Sequence, residues 1–328
     1  MQIVRFFNPG LAYKQHPEIL REIDRVLSAG DLILRDDVER FEENLAKFCR
    51  TKYAVGLNSG TDALYLSLWA LGISRGDEVI VPSHTFVASV QVIVQLGATP
   101  VLVDLGDDWQ KHITPKTKAV IPCHIAGEVS DWQPVNDIPM VDDSCQSLGA
   151  KGFKGVIQCW SFYPAKILGA LGDAGAITTN DKGIADEIKQ LRHHWKKDYS
   201  KWGINSRLDN LQACVLNCKL KFLPQTLARR KEIAEMYLNG ITGVLHPKNT
   251  QGRVWQDYII RTERRDELFN FLKEKGIETM KNDYPMPIGK LPKAEKYEAE
   301  TLRLPINEVL TDKEIQYVID KINEFYAT

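Results

Sequence analysis

One lysine stands where the sequence could do covalent chemistry. Lys166 lies between Ser161-Phe-Tyr-Pro and the run Gly169-Ala-Leu-Gly172-Asp-Ala-Gly175, which leads into a second apolar stretch. A lysine amine forms a Schiff base with a carbonyl when it is held away from water, because burial and nearby cations lower its pKa. The glycines permit close backbone approach and unusual dihedrals, and Ser161 places a hydroxyl five residues earlier. Three other apolar runs end in polar groups: Asn58-Ser-Gly60-Thr61-Asp62, Ser83-His84-Thr-Phe86 and Asp143-Ser-Cys-Gln146. Pyridoxal phosphate (PLP) makes a matching set of demands. Its aldehyde needs a lysine, its ring nitrogen a carboxylate, its phosphate backbone N–H and hydroxyl donors, and its ring a flat apolar cover. Lys166 is the candidate catalytic Schiff-base residue, and Asp143 the candidate partner of the ring nitrogen. Gln146 could reach the ring hydroxyl and Phe86 could stack on the ring, while Gly60, Thr61, Asp62 and Ser161 could hold the phosphate. Singly, each has a plainer explanation: an exposed lysine, a strand-end cap, a core phenylalanine. Their order along the chain argues for one site.

Such residues need a scaffold that brings strand ends together. Tyr53-Ala-Val-Gly-Leu57, Glu78-Val-Ile-Val-Pro82, Pro100-Val-Leu-Val-Asp104, Lys118-Ala-Val-Ile-Pro122 and Pro139-Met-Val-Asp-Asp143 are short apolar runs. Helical stretches such as Ala63 to Leu71 and Phe86 to Leu96 stand between some of them. Apolar strands alternating with helices predict an α/β fold with a mostly parallel sheet covered on both faces. Ligands of such sheets bind beyond the strand C-termini, where the polar groups above fall. Ahead of the first strand, Ile19, Ile23, Val26 and Leu27 form a helical stripe closed by Gly30, and Val38, Phe41, Leu45 and Phe48 form a second. After Gly183 the pattern predicts a helix to about Trp195, an aromatic loop over 193–202, and a long helix from about Asp209 broken near Pro224. The last hundred residues predict a small α+β domain, with a helix from Arg265 to Lys275 and a docked terminal helix over 311–325. A large domain over 1–222 and a small one over 223–328 suit a length of 328 residues.

With 42 basic and 43 acidic side chains the net charge is −1, so no global charge draws the chain to nucleic acid or to anionic lipid. The absence of a membrane-length apolar run or a signal-peptide pattern predicts a cytoplasmic protein. Six cysteines form no Cys-x-x-Cys pair and have no histidine at zinc spacing, so no metal site is expected. A Rossmann dehydrogenase would need G-x-G-x-x-G after the first strand, which Asn58-Ser-Gly-Thr-Asp-Ala does not supply.

Nearly end to end, the chain resembles the DegT/StrS nucleotide-sugar aminotransferases, PLP enzymes of fold type I (aspartate aminotransferase-like). The likeness runs from Phe41-Glu-Glu through Asn58-Ser-Gly-Thr-Asp-Ala-Leu, Gly76-Asp-Glu-Val-Ile-Val-Pro and Asp143-Ser-Cys-Gln to Leu302-Arg-Leu-Pro305. Ser83-His-Thr-Phe-Val-Ala-Ser, Ser161-Phe-Tyr-Pro-Ala-Lys and Asn205-Ser-Arg-Leu-Asp look most like enzymes that aminate C3 of dTDP-3-keto-6-deoxyhexoses. The resemblance implies a homodimer with shared active sites, in which Asn205 reaches the phosphate of PLP held by the partner subunit. It also implies L-glutamate as amino donor and a nucleotide sugar as acceptor. Arg207, Tyr163 and His84 are then the candidate substrate contacts. A UDP-linked 3-keto sugar or a 4-keto sugar is the alternative acceptor, and a non-catalytic regulatory or partner protein of the same fold is the alternative outside enzymes. Lys166 argues against the sugar dehydratases of this fold, which carry histidine there. The chain departs from the family's pattern at Ile167, at Ala174, and at Asp283-Tyr-Pro, where histidine is common.

Overall fold

A computed structural model describes residues 3–14, 16–248, 251–282 and 284–327; the Asp283 departure lies outside them. Three helices precede the sheet: α1 (Pro9–Lys14), α2 (Glu18–Ala29) and α3 (Asp36–Cys49). The stripe on α2 buries Ile19 and Val26, and Gly30, at φ +71°, closes the helix in the left-handed conformation. Asp36, Asp37 and Glu39 in the first turn of α3 face the positive end of its dipole, while Val38, Phe41 and Leu45 pack beneath the sheet.

The sheet then builds up as β1 (Tyr53–Leu57), α4 (Gly60–Ala70), β2 (Glu78–Pro82), α5 (Val87–Gln95), β3 (Thr99–Val103), β4 (Thr117–Val120), β5 (Val141–Asp143), β6 (Ile157–Ser161) and β7 (Gly175–Thr179). A parallel sheet β3-β2-β4 and a mixed sheet β5-β6-β7-β1 are stitched together by parallel bridges from Val120 to Met140 and from Cys123 to Asp143. The sheet is mostly parallel, as expected. Its antiparallel strand is β7, which runs against both β6 and β1. The cause is local. Parallel neighbours need a long crossover, usually helical, whereas the chain from Phe162 to Ala174 folds straight back, with Phe162 N–H donating to Ala174 O at 2.8 Å. Lys166 sits in this reversal.

Beyond β7, α6 (Lys182–Leu191) ends four residues earlier than the pattern predicts. The returning segment takes its last carbonyls, Ile204 N–H donating to Leu191 O and Ser206 N–H to Arg192 O, and His194 and Trp195 turn to φ +59° and +53°. The expected long broken helix is two helices, α7 (Asn210–Leu220) and α8 (Leu223–Gly240). Pro224 stands in the first turn of α8, where a missing N–H costs no helical hydrogen bond.

The remaining chain forms β8 (Tyr258–Arg261), α9 (Arg265–Glu274), β9 (Met280–Lys281), α10 (Pro292–Glu300), β10 (Thr301–Leu304) and α11 (Asp312–Ala327), with the antiparallel sheet β8-β10-β9. Its core of Ile233, Tyr237, Tyr258, Leu268, Leu302 and Ile319 also takes in Val4 from the N-terminal segment, because Val4 bridges Ile277 in parallel. The N-terminal segment therefore packs on the C-terminal sheet, and Phe6 and Phe7 line a cavity between that sheet and the strand ends.

Candidate active site

A cavity of about 660 Å³ opens where β1, β5 and β6 end and the C-terminal sheet closes over them. Ser59, Gly60 and Thr61 form one wall. Ser59 Oγ accepts from Asp62 N–H at 3.0 Å and caps α4, so the positive end of this helix and its unpaired N–H groups face the cavity. Residue 60 must be glycine, because a Cβ there would lie 2.7 Å from both Cys145 Sγ and Ser161 Cβ. This close approach brings the Ser161 hydroxyl beside the helix end. The hydroxyl accepts from Tyr163 N–H at 3.3 Å, which leaves its proton free to donate. Helix end, hydroxyl and missing Cβ make a cradle for a phosphate.

Asp143 closes β5 inside the cavity. Its Oδ2 accepts from Ser89 Oγ at 2.6 Å and its Oδ1 from Cys145 N–H at 3.2 Å; Thr85 Oγ1 lies 2.9 Å behind Ser89. These donors fix the direction of the carboxylate. Burial, and then the Asp143 charge, push the Cys145 thiol well up, so this cavity cysteine stays protonated. Gln146 Oε1 accepts from Ala126 N–H at 2.8 Å, and its Nε2 therefore donates to Tyr284 Oη at 3.3 Å. The Tyr284 oxygen is the acceptor there, so its own proton is available to the cavity, and burial pushes this phenol up to about 12. Phe86 lines the cavity with 54% of its surface exposed and its ring edge-on to Tyr284 at 6.5 Å. A large apolar face left open at a cavity is a stacking surface.

Lys166 lines the same cavity, half-buried. Its backbone is held from both sides by one residue: Gln256 Oε1 accepts from Ile167 N–H at 3.0 Å, and Gln256 Nε2 donates to Ala165 O at 3.1 Å. Gln256 is itself fixed by Arg230, whose Nη1 donates to the carbonyls of Trp255, Gln256 and Ile306. The C-terminal unit thus grips the two peptides that flank the lysine.

The structure brings Gly60, Thr61, Phe86, Asp143, Gln146, Ser161, Tyr163 and Lys166 to one cavity wall and leaves four candidates elsewhere. The Asp62 carboxylate accepts from Ser206 Oγ at 2.7 Å, below the helix end. His84 is buried at the junction of the two units, its Nδ1 donating to Glu298 Oε1 at 2.7 Å. Asn205 is exposed away from this chain's cavity, and Arg207 Nη1 lies 3.2 Å from His193 Nδ1. Sequence reasoning missed Ser89, Gln256, Tyr284 and Arg303. Ser89 left a signal, standing three residues after Phe86 and so on the same helical face, and Tyr284 and Arg303 stand within Asp283-Tyr-Pro and Leu302-Arg-Leu-Pro305, which carried only family likeness. Gln256, Tyr284 and Arg303 lie 90 or more residues from Lys166, and no spacing ties them to it. The cavity meets each demand of PLP: an anion cradle, a fixed buried carboxylate, an open aromatic face and a half-buried lysine.

Fold and cavity together define a PLP-dependent transferase of the aminotransferase type. The chain belongs to the DegT/DnrJ/EryC1/StrS aminotransferase family, which matches residues 14–323. It is a PLP-dependent sugar aminotransferase by family. It is 37% identical to a dTDP-3-amino-3,4,6-trideoxy-alpha-D-glucose transaminase of Streptomyces venezuelae, over 98% of this chain and 96% of that protein. It is also 37% identical to a protein named pleiotropic regulatory protein from Geobacillus stearothermophilus, over 94% and 95%. Among solved structures, it superposes on S. venezuelae DesV in complex with a ketimine intermediate, with a TM-score of 0.93, 36% identity and all of both chains covered. It superposes on NtdA of Bacillus subtilis with bound cofactor PMP with a TM-score of 0.92 and 26% identity, over 100% of this chain and 86% of that one. Among the described residues no helix is long and apolar enough to cross a membrane, and no group of His, Cys, Asp and Glu could hold a metal.

Proposed function

We propose that this protein transfers an amino group from L-glutamate to C3 of a dTDP-3-keto-6-deoxyhexose, giving a dTDP-3-amino-3,6-dideoxyhexose. The observation that carries the chemistry is the single cavity holding Lys166, Asp143 and the Gly60–Ser161 cradle. The acceptor is supported by the 37% identity to a dTDP-3-amino sugar transaminase along nearly the whole of both chains. Bound PLP supplies a protonated ring that accepts the charge left when a proton departs from the substrate carbon. Asp143, fixed by Ser89 and the Cys145 N–H, holds the proton on the ring nitrogen. Gly60, Thr61 and Ser161 bind the phosphate, Phe86 covers the ring, and Gln146 turns an Nε2 hydrogen toward the ring hydroxyl. Lys166 binds the aldehyde at rest. Once displaced by an incoming amine, Lys166 would stand at the cavity wall against the bond to be cleaved, where its amine would carry the proton away from the substrate carbon. The same residues would serve the keto sugar in the opposite direction.

Residues 1–222 act as the cofactor domain and residues 223–328 as the domain that closes it. The working unit is a homodimer in which Asn205 completes the partner's phosphate cradle. The exposure of Asn205, of Tyr199 and Trp202 close by, and of Leu20 and Leu27 on α2 supports that assembly. The test is the visible spectrum of PLP-loaded protein, titrated with glutamate and then with amino sugar nucleotides. A band that glutamate bleaches, and that one dTDP-3-amino sugar also bleaches, is expected. A band indifferent to glutamate overturns the donor, and bleaching only by UDP-linked or 4-amino sugars overturns the acceptor.

A further inference from the structure

None of the demands of the cofactor uses one cation in the cavity wall. Arg303, on β10, lines the cavity with its side chain only 13% exposed. Its Nε donates to Asn282 Oδ1 at 2.8 Å, and its guanidinium lies 4.9 Å from the centre of the Tyr284 ring. Nη1 stands 3.7 Å from Asp257 Oδ2, too far for a hydrogen bond. Among the described residues the two terminal nitrogens thus have no hydrogen-bond acceptor, although a guanidinium so far removed from water loses hydration unless its planar donors are met. Arg230, the other arginine in the wall, differs in that its Nη1 already serves three carbonyls. Asn282 on one side and the Tyr284 ring beneath hold Arg303 in one plane, so its open edge is a preformed fork.

We propose that Arg303 binds a substrate carboxylate through Nη1 and Nη2, the planar pairing for which this fork is suited. Asp257 balances much of its charge, which suits a single carboxylate better than a doubly charged diphosphate. Resting on the transaminase reading, the proposal makes Arg303 a specificity-determining residue. The carboxylate has two possible sources, the amino donor or an acidic sugar.

PLP-loaded wild type and Arg303→Gln are titrated by calorimetry with glutarate, which has carboxylates but no amine to exchange, and with UDP-glucuronate against UDP-glucose. Loss of two charge-assisted hydrogen bonds is expected to weaken the carboxylate ligand about 100-fold or more. Weaker glutarate alone assigns Arg303 to the donor; loss of a wild-type preference for UDP-glucuronate over UDP-glucose assigns it to an acidic acceptor. Arg303→Lys, which keeps the charge without the fork, gives an intermediate loss and serves the same comparison if the glutamine variant sheds its cofactor. Unchanged affinities, equal loss for both nucleotides, or a wild type that binds neither carboxylate ligand overturns the proposal. If glutamate fails to bleach PLP yet glutarate binding still depends on Arg303, the transaminase reading falls and this assignment stands.

Discussion

A lysine is a useful catalyst only as far as its surroundings hold it. Lys166→Ala removes both the aldehyde anchor and the proton carrier, but leaves the phosphate cradle and Asp143 in place. Turnover should fall below detection while PLP still binds without the lysine-linked visible band, as equilibrium dialysis and absorption would show. Substantial remaining transamination would sink the assignment. Gln256 is a positioning residue, since it acts through the peptides beside Lys166. Gln256→Ala leaves Ile167 N–H and Ala165 O without their partners, a loss of about 1–3 kcal/mol. We expect kcat to drop about tenfold if roughly 1.4 kcal/mol of that falls on the transition state. The pH at which the lysine-linked band titrates should move as well, which a merely destabilised protein would not show. Gln256→Glu, which keeps the acceptor for Ile167 N–H but loses the donor to Ala165 O, should shift the same titration.

At the scale of elements, α10 is held to the sheet layer by groups from the other unit. Asp104, at the end of β3, accepts from the Lys293 and Ala294 N–H groups, and Ser83 Oγ accepts from Leu291 N–H. These bonds cap a helix whose own N-cap residue, Leu291, offers no side-chain acceptor. Further along, Glu298 meets His84, Lys290 and the Tyr284 N–H. Burial alone would raise its carboxyl pKa, but the bonds from His84, Lys290 and the Tyr284 N–H outweigh burial and hold it below the usual 4.5. A carboxylate with a depressed folded pKa stabilises the fold above its unfolded pKa, and that stabilisation is lost as pH falls through the folded value. Glu298→Gln should therefore cost about 2 kcal/mol at neutral pH, as read by denaturant melts. The gap from wild type should narrow below about pH 4.5; a gap independent of pH would show that the charge is not what matters.

For the whole molecule, the proposed shared site makes a mixing experiment decisive. Lys166→Ala and Asn205→Ala homodimers should each be impaired. In a heterodimer one site regains both wild-type groups while the other loses both. Unfolding and refolding the two variants together in equal amounts should restore about a quarter of wild-type turnover, from statistical pairing of subunits. No recovery would mean that Asn205 serves its own chain or no site at all.

Apolar runs and their spacing determined the strands, most helices and the convergence of polar strand ends, because burial and backbone period are written locally. Gly60, Asp143, Gln146, Ser161 and Lys166 were legible because each closes or follows such a run. What sequence could not contain is direction and distance. That β7 returns antiparallel depends on a non-helical reversal. His84 lies outside the cavity lining, held at 2.7 Å by Glu298, 214 residues away. Gln256 and Arg303 reach the cavity only when the C-terminal sheet packs over the strand ends, since contacts between distant segments are set by tertiary packing and leave no period in the chain.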